Sequence, residues 1–148
     1  MRETTKGKVE SFVSQYGDDE LISLLSASIV QKSSHHLTII CDDTMHHIPN
    51  NLIEGEKFVF SKGTFDSSSA TLIEDYLSER LSILRNKLLE REWQKIILIF
   101  SGHAILSASI KLFIYRVTHK ETEDIIYFGS SGYKKINIDM RAIASLQP

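Results

Sequence analysis

The stretch that decides the fold is Ile96-Ile97-Leu98-Ile99-Phe100-Ser101-Gly102-His103-Ala104, written IILIFSGHA. A short apolar run that ends in small and polar residues is typical of a strand buried on both faces of a sheet. Strands of that kind belong to parallel sheets, whose connections are usually helices. We therefore predict a strand over residues 95–100 that turns into a helix just after Ser101-Gly102.

Helical periodicity occurs on both sides of this strand. Residues 68–91 carry apolar side chains at three- and four-residue steps, which predicts a long amphipathic helix whose charged residues, including Arg80, face water. Asp18 begins an acidic first turn and an apolar pattern that predict a helix over residues 18–32. Residues 105–117 are apolar nearly all round, and their small residues favour a closely packed helix over a strand.

The remaining regular segments predict strands. Residues 35–41 and 57–60 are short and rich in β-branched or aromatic side chains. Residues 124–128 and 134–140 flank a Gly-Ser turn, which predicts a hairpin at a sheet edge. This alternation predicts an α/β fold, namely a three-layer sandwich with a mostly parallel central sheet of about four or five strands, helices on both faces and a C-terminal hairpin.

Length and composition set the broad class of protein. The chain has 148 residues and no Pro- or Gly-rich linker, so we expect a single domain over residues 1–148. Apolar residues make up 42% and charged residues 24%, which is typical of globular soluble proteins. Seventeen basic and nineteen acidic residues give a net charge of −2, which disfavours nucleic acid or an anionic membrane as partner.

Cysteine usage and hydropathy bear on location. Cys41 is the single cysteine, which excludes an internal disulfide and a thiolate zinc cluster and fits a reducing compartment. The first residues lack the apolar core of a secretion signal, and the longest apolar runs are too short to span a bilayer. We therefore expect a cytoplasmic protein with no membrane span.

The strand ends indicate where a ligand would bind. In open α/β sheets, ligands bind outside the carboxyl ends of the strands, here the loops 41–47, 61–69 and 101–104. We expect Lys62 and the first amides of the following helices to hold negative charge, and Asp42 to accept hydrogen bonds. Ser101 lies at the end of its strand, and His103 can donate a hydrogen bond or titrate near neutrality.

Catalytic functions at these strand ends also remain possible. The sequence contains no motif that identifies a cofactor. A hydrolase could pair Cys41 with His103, or could use a metal held by His46 and His47. The histidine spacing matches no established metal motif, and buried apolar cysteines are common, so neither group enters the expected site. The sequence alone leaves open whether the protein is an enzyme.

Two resemblances accompany these observations. The stretch IILIFSGHA resembles the strand and Ser-Gly-His segment of caspase-like peptidases, which implies a catalytic role for His103. However, Ala104 replaces the glycine usual in that family, and Cys41 precedes the histidine, whereas the family's cysteine follows it. The order of strand, small-residue turn and helix also resembles the Rossmann-like domains of the CARF and SAVED groups, which implies binding of a nucleotide second messenger.

Together these features favour a binding or regulatory module over an enzyme. The expected ligand is a nucleotide-like or other small anion, or else a protein partner, bound at Asp42, Lys62, Ser101 and His103. The predicted hairpin leaves an open sheet edge, through which we expect two copies of the chain to associate. The alternative is a hydrolase, caspase-like or metal-dependent and either active or degenerate, that uses His103 with Cys41 or a metal site at His46 and His47.

Overall fold

The computed structural model describes residues 4–33 and 35–147, and the side chains of all of these except residues 29–33. Contacts divide the chain into two units, residues 1–34 and residues 35–148. The first unit contains helix α1 (Thr5–Tyr16) and helix α2 (Asp18–Ser33). Helix α2 confirms the helix predicted over residues 18–32, whereas α1 was not predicted. The prediction of one domain stays a prediction, and each unit is described by itself.

Local signals define the limits of α1. The Thr4 hydroxyl accepts a hydrogen bond from the Gly7 amide at 3.3 Å, which caps the first turn. Gly17 has φ of +88° and donates its amide to the Val13 carbonyl, which ends the helix in a conformation that favours glycine. No residue of α1 is buried, so the helix shows none of the strong apolar stripe that sequence patterns detect.

The second unit is an α/β domain. Its strands are β1 (His36–Asp42), β2 (Glu56–Ser61), β3 (Lys95–Phe100), β4 (Glu123–Tyr127) and β5 (Tyr133–Ile136). Its α-helices are α3 (Ala70–Leu88), α4 (Ala104–Thr118) and α5 (Met140–Ala144), and short 3-10 helices span Asn50–Leu52 and Gly129–Ser131. The helical interpretation of residues 105–117 is therefore confirmed by α4.

The sheet has the strand order β2-β1-β3-β4-β5. All neighbours pair in parallel except β4 and β5, which form the C-terminal antiparallel hairpin. The predicted fold class is thus confirmed. The predicted last strand, residues 134–140, was too long: β5 ends at Ile136, and Asp139 caps α5 by accepting the Ala142 amide at 2.9 Å.

The handedness of the connections explains which segments cover each face. The paths from β2 to β3 through α3 and from β3 to β4 through α4 step in the same direction along the sheet. Right-handed crossovers that step the same way place their helices on the same face, and α3 and α4 do pack together there. The path from β1 to β2 steps the other way, and its 3-10 helix region covers the opposite face through Ile48, Leu52 and Ile53.

The core lies around β1 and β3, the two central strands. Leu37, Ile39 and Cys41 of β1 face α3 and α4, while Ile40 faces the other way with Ile97 and Ile99 of β3. Burial on both faces is why β3 is an unbroken apolar run. None of the described helices combines the length and the hydropathy needed to cross a membrane.

Ion pairs surround the amino ends of the strands. Glu56, at the start of β2, accepts a hydrogen bond from Lys87 and pairs with Arg91 at 3.1 Å. The bond from Lys87 lowers the pKa of the Glu56 carboxyl, against the opposing effect of its partial desolvation. The pKa of Glu56 is lower in the folded than in the unfolded protein. The ion pairs of Glu56 therefore stabilise the fold above the unfolded-state pKa of about 4.3, and this stabilisation is lost as the pH falls through the folded-state pKa.

We therefore predict that Glu56→Gln lowers the free energy of unfolding at pH 7 by a few tenths to about 1 kcal/mol, a small value because the pair is partly screened by water. The difference from the parent protein should shrink as the pH falls through the lowered pKa of Glu56 and should disappear below it. Urea unfolding at several pH values measures it, and Glu74→Gln, an exposed carboxylate of α3, is the matched control. A loss that stays constant with pH would contradict this account.

Candidate functional site

The carboxyl ends of β1, β2 and β3 lie side by side. Asp42 at the end of β1 is in register with Ser61 at the end of β2, and the residue after β3 is Ser101. The chain leaves β1 toward one edge of the sheet and leaves β3 toward the other, which makes the β1/β3 boundary the topological switch point. Ligands of open α/β sheets bind at such a boundary.

Ser101 joins the two strands at this boundary. Its hydroxyl accepts a hydrogen bond from the Asp42 amide at 2.9 Å and donates one to the Asp42 carbonyl. The side chain is only 8% exposed, so these bonds are shielded from water. Ser101 therefore extends the β1/β3 pairing by one residue, and its hydroxyl is committed to the main chain.

Asp42 is equally constrained. It is 5% exposed, and its Oδ1 accepts hydrogen bonds from the amide, at 2.8 Å, and from the hydroxyl of Thr44. Gly102 has φ of +73°, and a Cβ at this position would lie 2.6 Å from Cβ of Asp42. Only glycine combines that backbone conformation with so close an approach. The Asp42–Gly102 contact therefore packs the ends of β1 and β3 tightly against each other at the switch point.

His103 is the capping residue of α4. Its Nδ1 accepts a hydrogen bond from the Ile105 amide at 3.2 Å, which in the neutral imidazole leaves the proton on Nε2. Its ring lies 5.6 Å from the ring of Phe65. His103 thus occupies the helix start as predicted, but its acceptor nitrogen is used by the helix itself.

Lys62 directly follows Ser61, the residue paired with Asp42, but it lines a different feature of the surface. It lines a groove of about 720 Å³ between β2 and α3, whereas Asp42 and Ser101 contact each other at the β1/β3 boundary. Aromatic side chains bridge the two places, because Phe65 contacts His103 and also lies 5.3 Å from Tyr76, which lines the groove. The structure therefore brings Asp42 and Ser101 together, links His103 to the groove through Phe65, and places Lys62 in the lining of the groove.

The groove is built on the outer edge of the sheet. Four successive residues of β2, numbers 57–60, line it. Because alternate side chains of a strand point to opposite faces, a groove that meets four in a row must meet the main chain. Arg80 of α3 crosses this edge, with its Nε donating to the Phe60 carbonyl at 2.7 Å and its Nη2 donating to the Val59 carbonyl at 3.1 Å.

Arg80 is the residue that sequence reasoning missed. The periodicity of the long helix placed it on the solvated face, but it is half-buried and its guanidinium lies 5.8 Å from the centre of the Phe60 ring. Two of its five N–H donors bond these carbonyls, and the others remain for a ligand. No sequence pattern indicates this role, because the partners of Arg80 are main-chain carbonyls.

The cysteine and histidines considered for catalysis lie in surroundings that do not suit it. Cys41 is fully buried beneath α4, and desolvation raises the pKa of its thiol to about 11, although Ser107 donates a counteracting hydrogen bond. His46 stacks on Tyr127 with ring centres 4.0 Å apart. Within residues 4–33 and 35–147, no group of three or more His, Cys, Asp and Glu side chains is arranged to hold a metal ion.

We predict that Gly102→Ala lowers the free energy of unfolding by about 2 kcal/mol or more, because a Cβ would collide with Asp42 in addition to straining the backbone. Gly129→Ala is the matched control, since Gly129 has a similar φ of +62° but nothing within 4 Å of the added atom. It should lose only about 1 kcal/mol from strain. Equal losses in the two variants would mean that the Asp42 contact contributes nothing.

We also predict that Cys41 of the folded protein resists iodoacetamide at pH 8, because the thiolate is the reactive form and its fraction at a pKa of about 11 is very small. The same protein unfolded in guanidinium should be alkylated completely within the same time. Mass spectrometry of the two samples measures the difference. Rapid alkylation of the folded chain would instead restore Cys41 as a candidate nucleophile.

Comparisons with protein-family models, with curated proteins and with solved structures find no match to this chain. Its function has therefore to be argued from the geometry of these residues.

Proposed function

We propose that the protein is a binding module that recognises a small organic anion, nucleotide-like in joining phosphate to a planar ring, in the groove between β2 and α3. The observation that carries the proposal is Arg80. Its guanidinium is held in place by two main-chain carbonyls at 2.7 and 3.1 Å, so it is ordered before a ligand arrives. Fixed guanidinium groups suit phosphate and carboxylate, whose oxygens accept two parallel hydrogen bonds.

The charge of the groove supports an anionic ligand. Its lining includes Lys57, Lys62 and Arg80 but only one carboxylate, Glu79. The whole chain has a net charge of −2, so the groove is more positive than the chain as a whole. Positive charge concentrated in a concave site raises the local concentration of anions and their association rate.

Aromatic and hydroxyl groups support the planar part of the ligand. Tyr76 lines the groove and lies among rings, with Phe60 and Phe65 at 6.4 and 5.3 Å. Its hydroxyl lies 3.4 Å from that of Thr64, which also lines the groove. Aromatic faces bind nucleobases through stacking, and paired hydroxyls can donate to or accept from polar edges.

The same geometry favours binding over hydrolysis. A nucleophile must be deprotonated and must reach its substrate, yet Cys41 is fully buried and its pKa is raised. The Ser101 hydroxyl is used in the β1/β3 joint, Asp42 Oδ1 accepts from Thr44, and His103 uses Nδ1 as a helix cap. None of these engagements hinders a ligand that binds at Lys62 and Arg80.

The test is titration with AMP, cyclic AMP, ATP and inorganic phosphate, followed by calorimetry and by amide chemical shifts. We expect at least one nucleotide to bind, to shift the amides around Lys62 and Arg80, and to weaken as salt is added. Lys62→Gln should weaken it several-fold, about 1 kcal/mol for one exposed charge-assisted contact. Arg80→Lys should weaken it more, because an ammonium cannot form the paired bonds.

The matched control for Lys62→Gln is Lys134→Gln, an equally exposed lysine on β5 that lines none of the described cavities. It should leave affinity unchanged. The proposal fails if no probe perturbs the groove at millimolar concentration, or if Lys62→Gln and Lys134→Gln have the same effect.

A further inference from the structure

A second cavity, of about 550 Å³, runs along α4 on the other side of the domain from β2. It begins at Phe100 and Ser101, where β3 ends, and reaches the turn formed by residues 120–122 before β4. The volume is within the range of small-molecule sites, about 300–1,000 Å³. The groove between β2 and α3 shares no residue with it, so the two sites are independent.

Helix α4 forms one wall of this cavity along most of its length, and residues 120–122 lie at the far end. The helix therefore has a side buried in the core and a side that faces the cavity. Leu106, Ile110 and Ile114 are fully buried in the core, while a second stripe lines the cavity and contains Ala104, Ala108, Leu112 and Tyr115.

The two ends of the cavity differ in chemistry. Near the amino end of α4 the lining consists of the apolar Phe100, Ala104 and Ala108 together with the small residues Ser101, Gly102 and Ser107. Toward the other end the lining carries Lys111, Lys120 and Glu121, and the Asp124 carboxylate pairs with Lys111.

The Lys111 ammonium is held in position at this polar end. Its Nζ donates to Asp124 Oδ2 at 2.6 Å and to the Thr122 hydroxyl at 2.9 Å. An ammonium has three donors, so these bonds orient it and leave one for a ligand.

We propose that this cavity binds an elongated apolar molecule with a single terminal carboxylate, a fatty-acid-like ligand, with its chain along α4 and its carboxylate at Lys111 and Lys120. The lining residues from Ala104 to Tyr115 extend about 16 Å along the helix axis, which suits a medium-length chain. Lys111 is paired with Asp124, whereas Lys120 makes no ion pair within the described residues, so the Lys120 ammonium is the charge that favours a monoanion over a cationic molecule.

The experiment titrates the protein with octanoate, decanoate and dodecanoate below their micelle concentrations, with decanol as the uncharged counterpart of decanoate. Burial of each added methylene should strengthen binding about fourfold. Decanoate should bind more tightly than decanol, and Lys120→Gln should remove that preference while leaving decanol unaffected. Amide chemical shifts should change along α4 and not along α3.

Ala108→Leu fills the cavity from an exposed helical position and should weaken every carboxylate at least tenfold without unfolding the protein. Ala27→Leu, at an exposed position of α2, is the matched control and should leave affinity unchanged. The proposal is overturned if affinity does not depend on chain length, if decanol binds as well as decanoate, or if Ala108→Leu has no effect. If no nucleotide binds at the groove that Lys62 lines, the results expected with the fatty acids stay the same. The two proposals can therefore be tested separately.

Discussion

The joint between β1 and β3 is the contact on which the rest of the domain depends. The Ser101 hydroxyl bonds both main-chain groups of Asp42, and Gly102 packs directly on the Asp42 side chain. In open α/β sheets this boundary is normally a crevice for ligands. Here Asp42 and Ser101 are only 5% and 8% exposed, and the Ser101 hydroxyl is bonded to the Asp42 main chain. One concave site begins beside this joint and runs along α4, and the other lies between β2 and α3.

The strand order determines where the helices beside those two sites lie. Because two successive crossovers step in one direction, α3 and α4 occupy the same face, and each has one side turned away from the other helix. Helix α3 packs beside the edge strand β2, and its Arg80 donates to the Val59 and Phe60 carbonyls of that strand. Helix α4 lines the second cavity with the side that faces away from the core. The cationic groove and the apolar cavity thus each lie along one of two helices that share a face of the sheet.

The parts of the fold that periodicity could predict are those with one strong apolar pattern. Helix α3 and strand β3 were predicted close to their bounds because each buries a regular set of side chains. Helix α1 was missed because it buries none, and its limits depend on a threonine cap and on Gly17. The end of β5 was misplaced because alternation continued past Ile136, whereas the Asp139 cap had already begun a helix. Capping is a local hydrogen bond that competes with periodicity and leaves only a weak sequence signal.

The expected site residues lie at strand ends and helix starts, but their hydrogen bonds could not be predicted, and the reason is chemical. Sequence patterns display side chains, whereas the partners of Ser101, His103 and Arg80 are main-chain atoms: the Asp42 peptide, the Ile105 amide and the carbonyls of β2. A hydroxyl or imidazole that hydrogen-bonds the main chain must break that bond before it can transfer protons for a substrate. Leaving a buried main-chain group without its partner costs about 1–3 kcal/mol of folding free energy. Within the described residues, Lys62 and the remaining donors of Arg80 make no such main-chain hydrogen bonds. This difference between engaged and available donors is the reason for proposing a domain that holds an anion over one that transforms it.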